Sequence, residues 1–479
     1  MPNPFAPLRP HTHLLVAVLY LAGCSQFNLA VPPAETQPAL QPVAVVPVLP
    51  EVVTPVPKTP AVAPVPSEVV APMLKTSAVA PVPRGVVTSV PEPPAPPASP
   101  DITRTALIVP LSGPAAALGQ DLADAAQMAL FDFAVSGFEL RIYDSGGNTK
   151  SATAAAARAQ ADGVRLVLGP LFAEAVTGAS TVTRAAGIPM FAFSNDSIVA
   201  GDGVYAAGFA PDAQIDRLVT FAAHRGLGRF AALAPDDGFG SRMSAILSDV
   251  VARRGGTVSA GAFYPGDVDA LTDTVRTLAR YDERVRALEE EKMLLADRDD
   301  AFSKRALERL ETRDTLGEVG FDALMLPVGG DEVLQVAPLL AFFDIDPLRV
   351  KLLGTWVWDD PALGKEPAML GAWFVAPPPE ARRHFVARFE EVYGRTPDRL
   401  STLAYDAVAL AVVLARGEGA DPYTAVRLEN PAGFAGVDGI FRLNDTGTVE
   451  RGLAVLEVRR DAPRVIDPAP ISFAPPVTN

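Results

Sequence analysis

The sequence predicts an α/β fold of two doubly wound parallel-sheet lobes, and three features of the chain carry that expectation. From Thr103 onward, short apolar strands alternate with Ala-rich helical stretches, and each strand ends in a turn rich in Gly, Pro or Asp. The alternation runs twice, first over about 103–208 and again from Asp212. The second run is interrupted by Asp267–Leu316, a charged stretch with neither Pro nor Gly that reads as helix.

The elements follow in order. Ala106–Val109 is an apolar strand closed by Pro110, and Pro110-Leu111-Ser112-Gly113-Pro114 is turn chemistry. From Gly119, Leu122, Ala126, Ala129 and Leu130 recur at helical spacing. Ser112 and the free amides of that turn therefore stand at the carboxyl end of a strand, where open α/β sheets bind ligands. Phe138–Tyr143 is the next strand, Asp144–Asn148 its turn, and Ser151–Gln160 a helix with Ser151 as its cap. Arg165–Leu168 ends at Gly169-Pro170-Leu171-Phe172 and is followed by a helix over Ala173–Ala186. Ile188–Phe193 ends at Ser194-Asn195-Asp196. In the second run, Gln214–Arg225 is a helix and Phe230–Leu233 a strand, and Pro235–Gly240 is a turn leading to a helix over Ser241–Arg254. Val258–Phe263, Ala323–Pro327 and Val350–Gly354 are further strands, the last ending at Thr355–Asp360. Residues 466–479 read as a flexible tail.

Within the interruption, Leu271, Val275, Leu278, Tyr281, Val285, Leu288, Leu295, Phe302 and Ala306 fall close to a three-four spacing. The part at about 282–316 exceeds what a connection to the next strand needs. It reads as an inserted helical hairpin or one long projecting helix.

The chain has 479 residues and a net charge of −15, so a polyphosphate backbone would be repelled, and nucleic acid is excluded as a partner. Residues 1–23 have the layout of a secretory signal: Arg9, His11 and His13, then the apolar run Leu14–Leu21, too short to span a bilayer. Leu21-Ala22-Gly23-Cys24 resembles the bacterial lipobox, which implies cleavage before Cys24 and lipid on its sulfur. Cys24 is the single cysteine of the chain, and Ser25 after it resembles the outer-membrane default. The expected localisation is periplasm-facing, held to the outer membrane through that lipid. Residues 24–102 are Pro, Val and Ala with few charges, a composition that favours polyproline II over a core and reads as a disordered tether. Lys58–Pro66 returns in drifted form as Lys75–Pro83.

Catalytic chemistry is sparse. Beyond the leader only His224 and His384 remain, and the chain has no paired Cys, phosphate-cradling loop or nucleophile elbow. Asp236-Asp237 and Asp359-Asp360 read as turn formers rather than acid/base pairs. The expectation is a protein without catalytic residues, metal or cofactor.

Taken together, Pro110–Gly113 with Gly119, Asp144, Gly169-Pro170, Asp236–Gly240 and Ala404-Tyr405-Asp406-Ala407 resemble the type I periplasmic binding proteins of the leucine/isoleucine/valine-binding group, over Thr103–Val465. That resemblance implies an interlobe cleft that holds a small-molecule ligand, and three hinge crossings near Gly208, Trp356–Asp360 and Phe441–Asp445. Residues 103–208 and 361–440 would form lobe 1, and 209–355 with 446–465 lobe 2. It places Ser112, Gly113, Leu171, Phe172, Ser194 and Asn195 on the first wall of the cleft, and Phe239 and Trp356 on the second. Leu171, Phe172 and Ala173 stand where amino-acid binders carry small hydroxyl residues, so the lining is poorly suited to a zwitterion.

The lipobox, tether, fold and helical insertion also resemble the outer-membrane lipoproteins that activate penicillin-binding proteins, with Pro327–Glu332 and Trp373–Pro377 as the local likeness. That resemblance implies regulation of peptidoglycan synthesis through contact with a penicillin-binding protein. The rival is a solute-binding lipoprotein that serves an ABC permease importing branched-chain or related amino acids.

Overall fold

A computed structural model describes residues 102–473 apart from 134–135, 267, 418 and 420. The leader, Cys24 and the tether up to residue 101 lie outside the described residues, as does the chain end from 474.

The first lobe is a five-stranded parallel sheet of β1 (Thr103–Val109), β2 (Phe138–Asp144), β3 (Leu166–Leu168), β4 (Met190–Ala192) and β5 (Val204–Ala206), in the order β2-β1-β3-β4-β5. Ala106–Val109 are fully buried, which is why this strand reads as a continuous apolar run: helices cover both faces of the sheet. Those helices include α1 (Ala116–Phe133), α2 (Thr149–Ala161) and α3 (Ala173–Ala186). The expected Ser151 cap is displaced, since α2 starts earlier. Asn148, extended at φ −138°, accepts the Ser151 amide at 3.0 Å and so becomes the cap.

The chain leaves this lobe across 207–210 and enters α4 (Pro211–His224). The second sheet takes β6 (Arg229–Pro235), then after α5 (Gly238–Arg253) β7 (Thr257–Tyr264). After α6 (Val268–Leu278), α7 (Tyr281–Ala296) and α8 (Ala301–Leu310) it takes β8 (Ala323–Met325). After α9 (Gly330–Phe342) come β9 (Lys351–Gly354) and β10 (Trp373–Ala376). Then α10 (Pro379–Tyr393) and α11 (Ser401–Ala415) return to the first lobe, where Leu403, Ala404, Ala407 and Val408 join its core.

Two boundaries differ from expectation. Residues around 361–376 belong to the second lobe, because β10 pairs with β9 and closes that sheet. The second crossing is therefore Pro377-Pro378, ahead of α10, rather than Trp356–Asp360. A run of three prolines explains the position: it can neither extend the strand ladder nor donate within it, and it starts a helix readily. The third crossing also lies later. A small sheet of β11 (Phe434–Gly436), β12 (Gly439–Leu443) and β13 (Val449–Arg451) packs Phe441, Leu443 and Val449 into the first core, so the chain crosses after Arg451 and not at Phe441–Asp445. β14 (Ala454–Glu457) and β15 (Arg464–Asp467) then complete the second sheet in the order β15-β14-β10-β9-β8-β6-β7. β14 runs antiparallel to β10 and β15 antiparallel to β14. Order thus extends past residue 466, where a flexible tail was expected; the Phe473 ring lies 4.7 Å from the Arg442 guanidinium.

The insertion is a hairpin, not one long helix. Arg280, in the left-handed region at φ 49°, breaks α6 from α7, and Asp300 caps α8 by accepting the Phe302 and Ser303 amides, both at 2.9 Å. Leu288 and Leu295 are buried, whereas Met293, Leu294 and Phe302 stand exposed at the tip. Among the described residues no helix is long and apolar enough to cross a membrane.

Candidate functional site

The turns at the carboxyl ends of both sheets face one another across a cavity of about 310 Å³. From the first lobe come Leu171 and Phe172 after β3, then Phe193, Ser194 and Asn195 after β4. Phe209 is contributed by the first crossing. From the second lobe come Trp356, just past β9, and Arg242, just past the first turn of α5. Ligand pockets span roughly 300–1,000 Å³, so the space suits a molecule of amino-acid size rather than a peptide.

Trp356 is held from two directions. Its ring packs against Phe209 with centroids 4.9 Å apart, and its backbone amide donates to the buried Gln214 side chain at 2.9 Å. Gln214 in turn donates to the Phe209 carbonyl at 3.0 Å, which couples two segments that meet at the hinge. The Ser194 hydroxyl is almost fully buried and accepts the Asp196 amide at 3.2 Å, so its lone pairs serve the turn as well as the cavity.

Five of the expected site residues come together here: Leu171, Phe172, Ser194, Asn195 and Trp356. Ser112, Gly113 and Phe239 do not line this cavity. Ser112 stands in the exposed turn beside the Asp144 carboxyl. Burial works to raise that carboxyl, but hydrogen bonds from the Ser112 hydroxyl and from the Gly146, Leu111 and Ser112 amides outweigh it and hold the group below the usual carboxylate range. Asp144 accepts the Leu111 amide at 2.8 Å and the Gly146 amide at 2.7 Å. Phe239 stays about one-third exposed in the first turn of α5, where Asp237 caps the helix by accepting the Gly240 amide at 2.7 Å. Asp360 likewise serves as a cap, accepting the Ala362 amide at 2.8 Å.

Sequence reasoning missed Phe209 and Arg242 and gave Asp196 no role beyond its turn. Arg242 sits 3.5 Å from Asp196 of the opposite lobe, and these two are the only charged groups on the cavity wall among the described residues. A weak signal was available, because a cation near the amino end of a helix is disfavoured by the helix dipole and gains from an acidic partner.

Behind the cavity the first and third crossings meet at buried charge. Arg451, at the end of β13, donates to the Ala207 carbonyl at 2.5 Å, joining the first and third crossings. Arg399 stacks 5.1 Å from the Phe209 ring and pairs with Asp438 at 3.0 Å and Asp359 at 3.5 Å. Asp406, on α11, accepts the Val437 amide at 2.7 Å. Burial first, and then the facing Asp438 charge, push the Asp406 carboxyl up to about 7.

A larger cavity of about 410 Å³ lies at the other end of the second lobe, where the chain returns from the hairpin. Its wall comes from that lobe alone, and much of its charge is internally paired, as in Arg229 with Asp322 at 2.6 Å and Arg284 with Asp344 at 2.9 Å. The interlobe cavity, by contrast, is built by both lobes. Among the described residues no group of three or more His, Cys, Asp or Glu is placed to hold a metal ion.

The fold is that of the type I periplasmic binding proteins. Residues 103–282 match the family model for periplasmic binding proteins. A leucine binding protein from Thermotoga maritima superposes with a TM-score of 0.50 at 18% identity, over 76% of this chain and 97% of that one. The solute binding protein of an ABC transporter from Rhodopseudomonas palustris, solved in complex with 3,4-dihydroxybenzoic acid, gives 0.53 at 17% identity, over 77% and 98%. In sequence, an uncharacterized protein of Rickettsia prowazekii is 25% identical over 176 residues, 36% of this chain. The chain spans 46% of the length of that relative.

Proposed function

We propose that this protein is a non-enzymatic solute-binding protein of the cell envelope that holds a small ligand between its lobes and presents it to an ABC permease. The observation that carries the reading is the cavity itself: turns from both sheets wall it, so a ligand filling it touches both lobes and stabilises their closed arrangement. Structurally similar proteins include ABC transporter solute binding proteins, three of them in complex with an aromatic acid. Periplasm-facing anchoring through lipid on Cys24 accompanies this reading. Radiolabelled palmitate incorporated by the wild type but not by Cys24→Ala supports it, and equal labelling overturns it.

Thermal unfolding of the full-length chain against amino acids and small organic acids tests the binding role. A ligand at 100-fold its Kd stabilises the protein by roughly 2.7 kcal/mol, seen as a raised Tm. Unchanged melting throughout the panel overturns the reading.

A second reading, activation of penicillin-binding proteins, is favoured by one specific observation: the α7–α8 hairpin ends in exposed Met293, Leu294 and Phe302, a ready contact for a protein partner. Retention of peptidoglycan synthases by the wild-type chain, lost on charging these three positions, supports it. Equal retention by both overturns it.

A further inference from the structure

The wall of the interlobe cavity is mostly apolar, with Leu171, Phe172, Phe193, Phe209 and Trp356 as its main surfaces. Against that background the cavity carries one cation, Arg242, and one anion, Asp196. They come from opposite lobes and are unequally engaged. One oxygen of Asp196 already caps the short turn at Ser197–Val199, accepting the Ile198 amide at 3.1 Å, while the other faces Arg242 at 3.5 Å. Arg242 brings five N–H donors in a planar fork, and among the described residues this long contact is its one ion pair. The guanidinium is therefore the under-filled member. A carboxylate that reached it with two parallel hydrogen bonds would replace a loose interaction with a tight one.

Resting on the solute-binding reading, we propose that Arg242 is the carboxylate receptor of the cleft and that the ligand is a small apolar monocarboxylic acid, which takes Arg242 over from Asp196. The acid's carbon skeleton lies on the aromatic and aliphatic wall, and its carboxylate meets the second lobe. An α-amino acid fits this wall poorly. Its ammonium needs several acceptors once desolvated, and the wall offers a single carboxylate already committed to a backbone amide. Asp196 and Arg242 then form an interlobe latch in the empty protein that the ligand exchanges for itself.

The test uses the full-length chain and a set of probes that share a carbon skeleton and differ in their polar groups: 4-methylpentanoate, 4-methylpentanamide and leucine, with benzoate and benzamide as an aromatic pair. Binding is read by calorimetry and by intrinsic tryptophan fluorescence, to which Trp356 on the cavity wall contributes. We expect at least one acid to bind, with its amide and leucine at least about tenfold weaker, the range that hydrogen bonds to a charged group provide. Arg242→Gln is expected to weaken the acid by about 10–100-fold and leave the amide unchanged, and Asp196→Asn to strengthen the acid severalfold. Arg242 is exposed, so an unaltered Tm shows that Arg242→Gln remains folded. An acid that binds the wild type and Arg242→Gln equally overturns the role of Arg242 and leaves the solute-binding reading standing. Leucine binding with no acid binding overturns the ligand class and again leaves that reading standing. No binding of these probes, or of a wider panel of amino acids and organic acids, overturns both.

Discussion

Asp438 places a carboxylate oxygen 3.0 Å from the Arg399 guanidinium with none of the Asp438 surface open to water. The Thr402 hydroxyl donates to its other oxygen at 2.5 Å. Removing one member of a buried pair strands the other, at a cost of about 3–5 kcal/mol. Asp438→Ala is expected to destabilise the protein toward the lower end of that range in urea unfolding, since Arg399 keeps Asp359 at 3.5 Å, and Arg399→Ala combined with it by much less than the sum of the two single changes. Additive losses would show that the two groups do not act as a pair.

Asp406 carries the pH dependence. Its folded value of about 7 lies above the ordinary carboxylate value, through burial first and the Asp438 charge second. Between the two values the folded state binds more protons than the unfolded chain, so this group's contribution falls as pH rises from about 4 to about 7 and is level outside that window. Asp406→Asn keeps an acceptor for the Val437 amide but cannot ionise. The Tm of the wild type should drop relative to this variant as pH is raised through the window, and parallel Tm curves would exclude the assignment.

Gly119 is tested through sterics. A Cβ there would lie 1.9 Å from the Pro110 carbonyl oxygen, a contact with backbone that no rotamer relieves. Gly119→Ala should cost roughly 1–3 kcal/mol by overpacking and push back the loop that carries Ser112. Denaturant titration with unchanged stability would contradict the close approach.

Arg284 fastens the base of the hairpin. Its side chain is 8% exposed and pairs with Asp344 at 2.9 Å while donating to the Asp344 carbonyl at 3.2 Å. Arg284→Ala should speed amide exchange across α7 and α8 and leave β1–β5 protected, since exchange reports local opening. Uniform loss of protection would instead mean that the hairpin and the first sheet unfold as one unit.

Much of the fold was legible because its signals are local. Buried parallel strands are short apolar runs, and turn residues punctuate them, so Ala106–Val109 and Ala173–Ala186 read correctly from the chain alone. The crossings were harder, because nothing local separates β10 as the end of one lobe from the start of another; its partners lie at β9 and β14, far along the sequence. The Pro377–Pro379 run was the available clue. In the site, Leu171, Phe172, Ser194, Asn195 and Trp356 line the cavity on the turns where the family resemblance placed them. Arg242 was not legible, since its meaning depends on Asp196 from the other lobe. Ser112 stays off the cavity wall, in the exposed turn beside Asp144.

The hairpin enters the second lobe just ahead of β8, at the amino ends of the parallel strands, while the cavity opens at their carboxyl ends. The two features occupy opposite ends of one sheet. Anything gripping α7 and α8 leaves the mouth of the cleft clear, so the lobe can be held by one hand and loaded by the other.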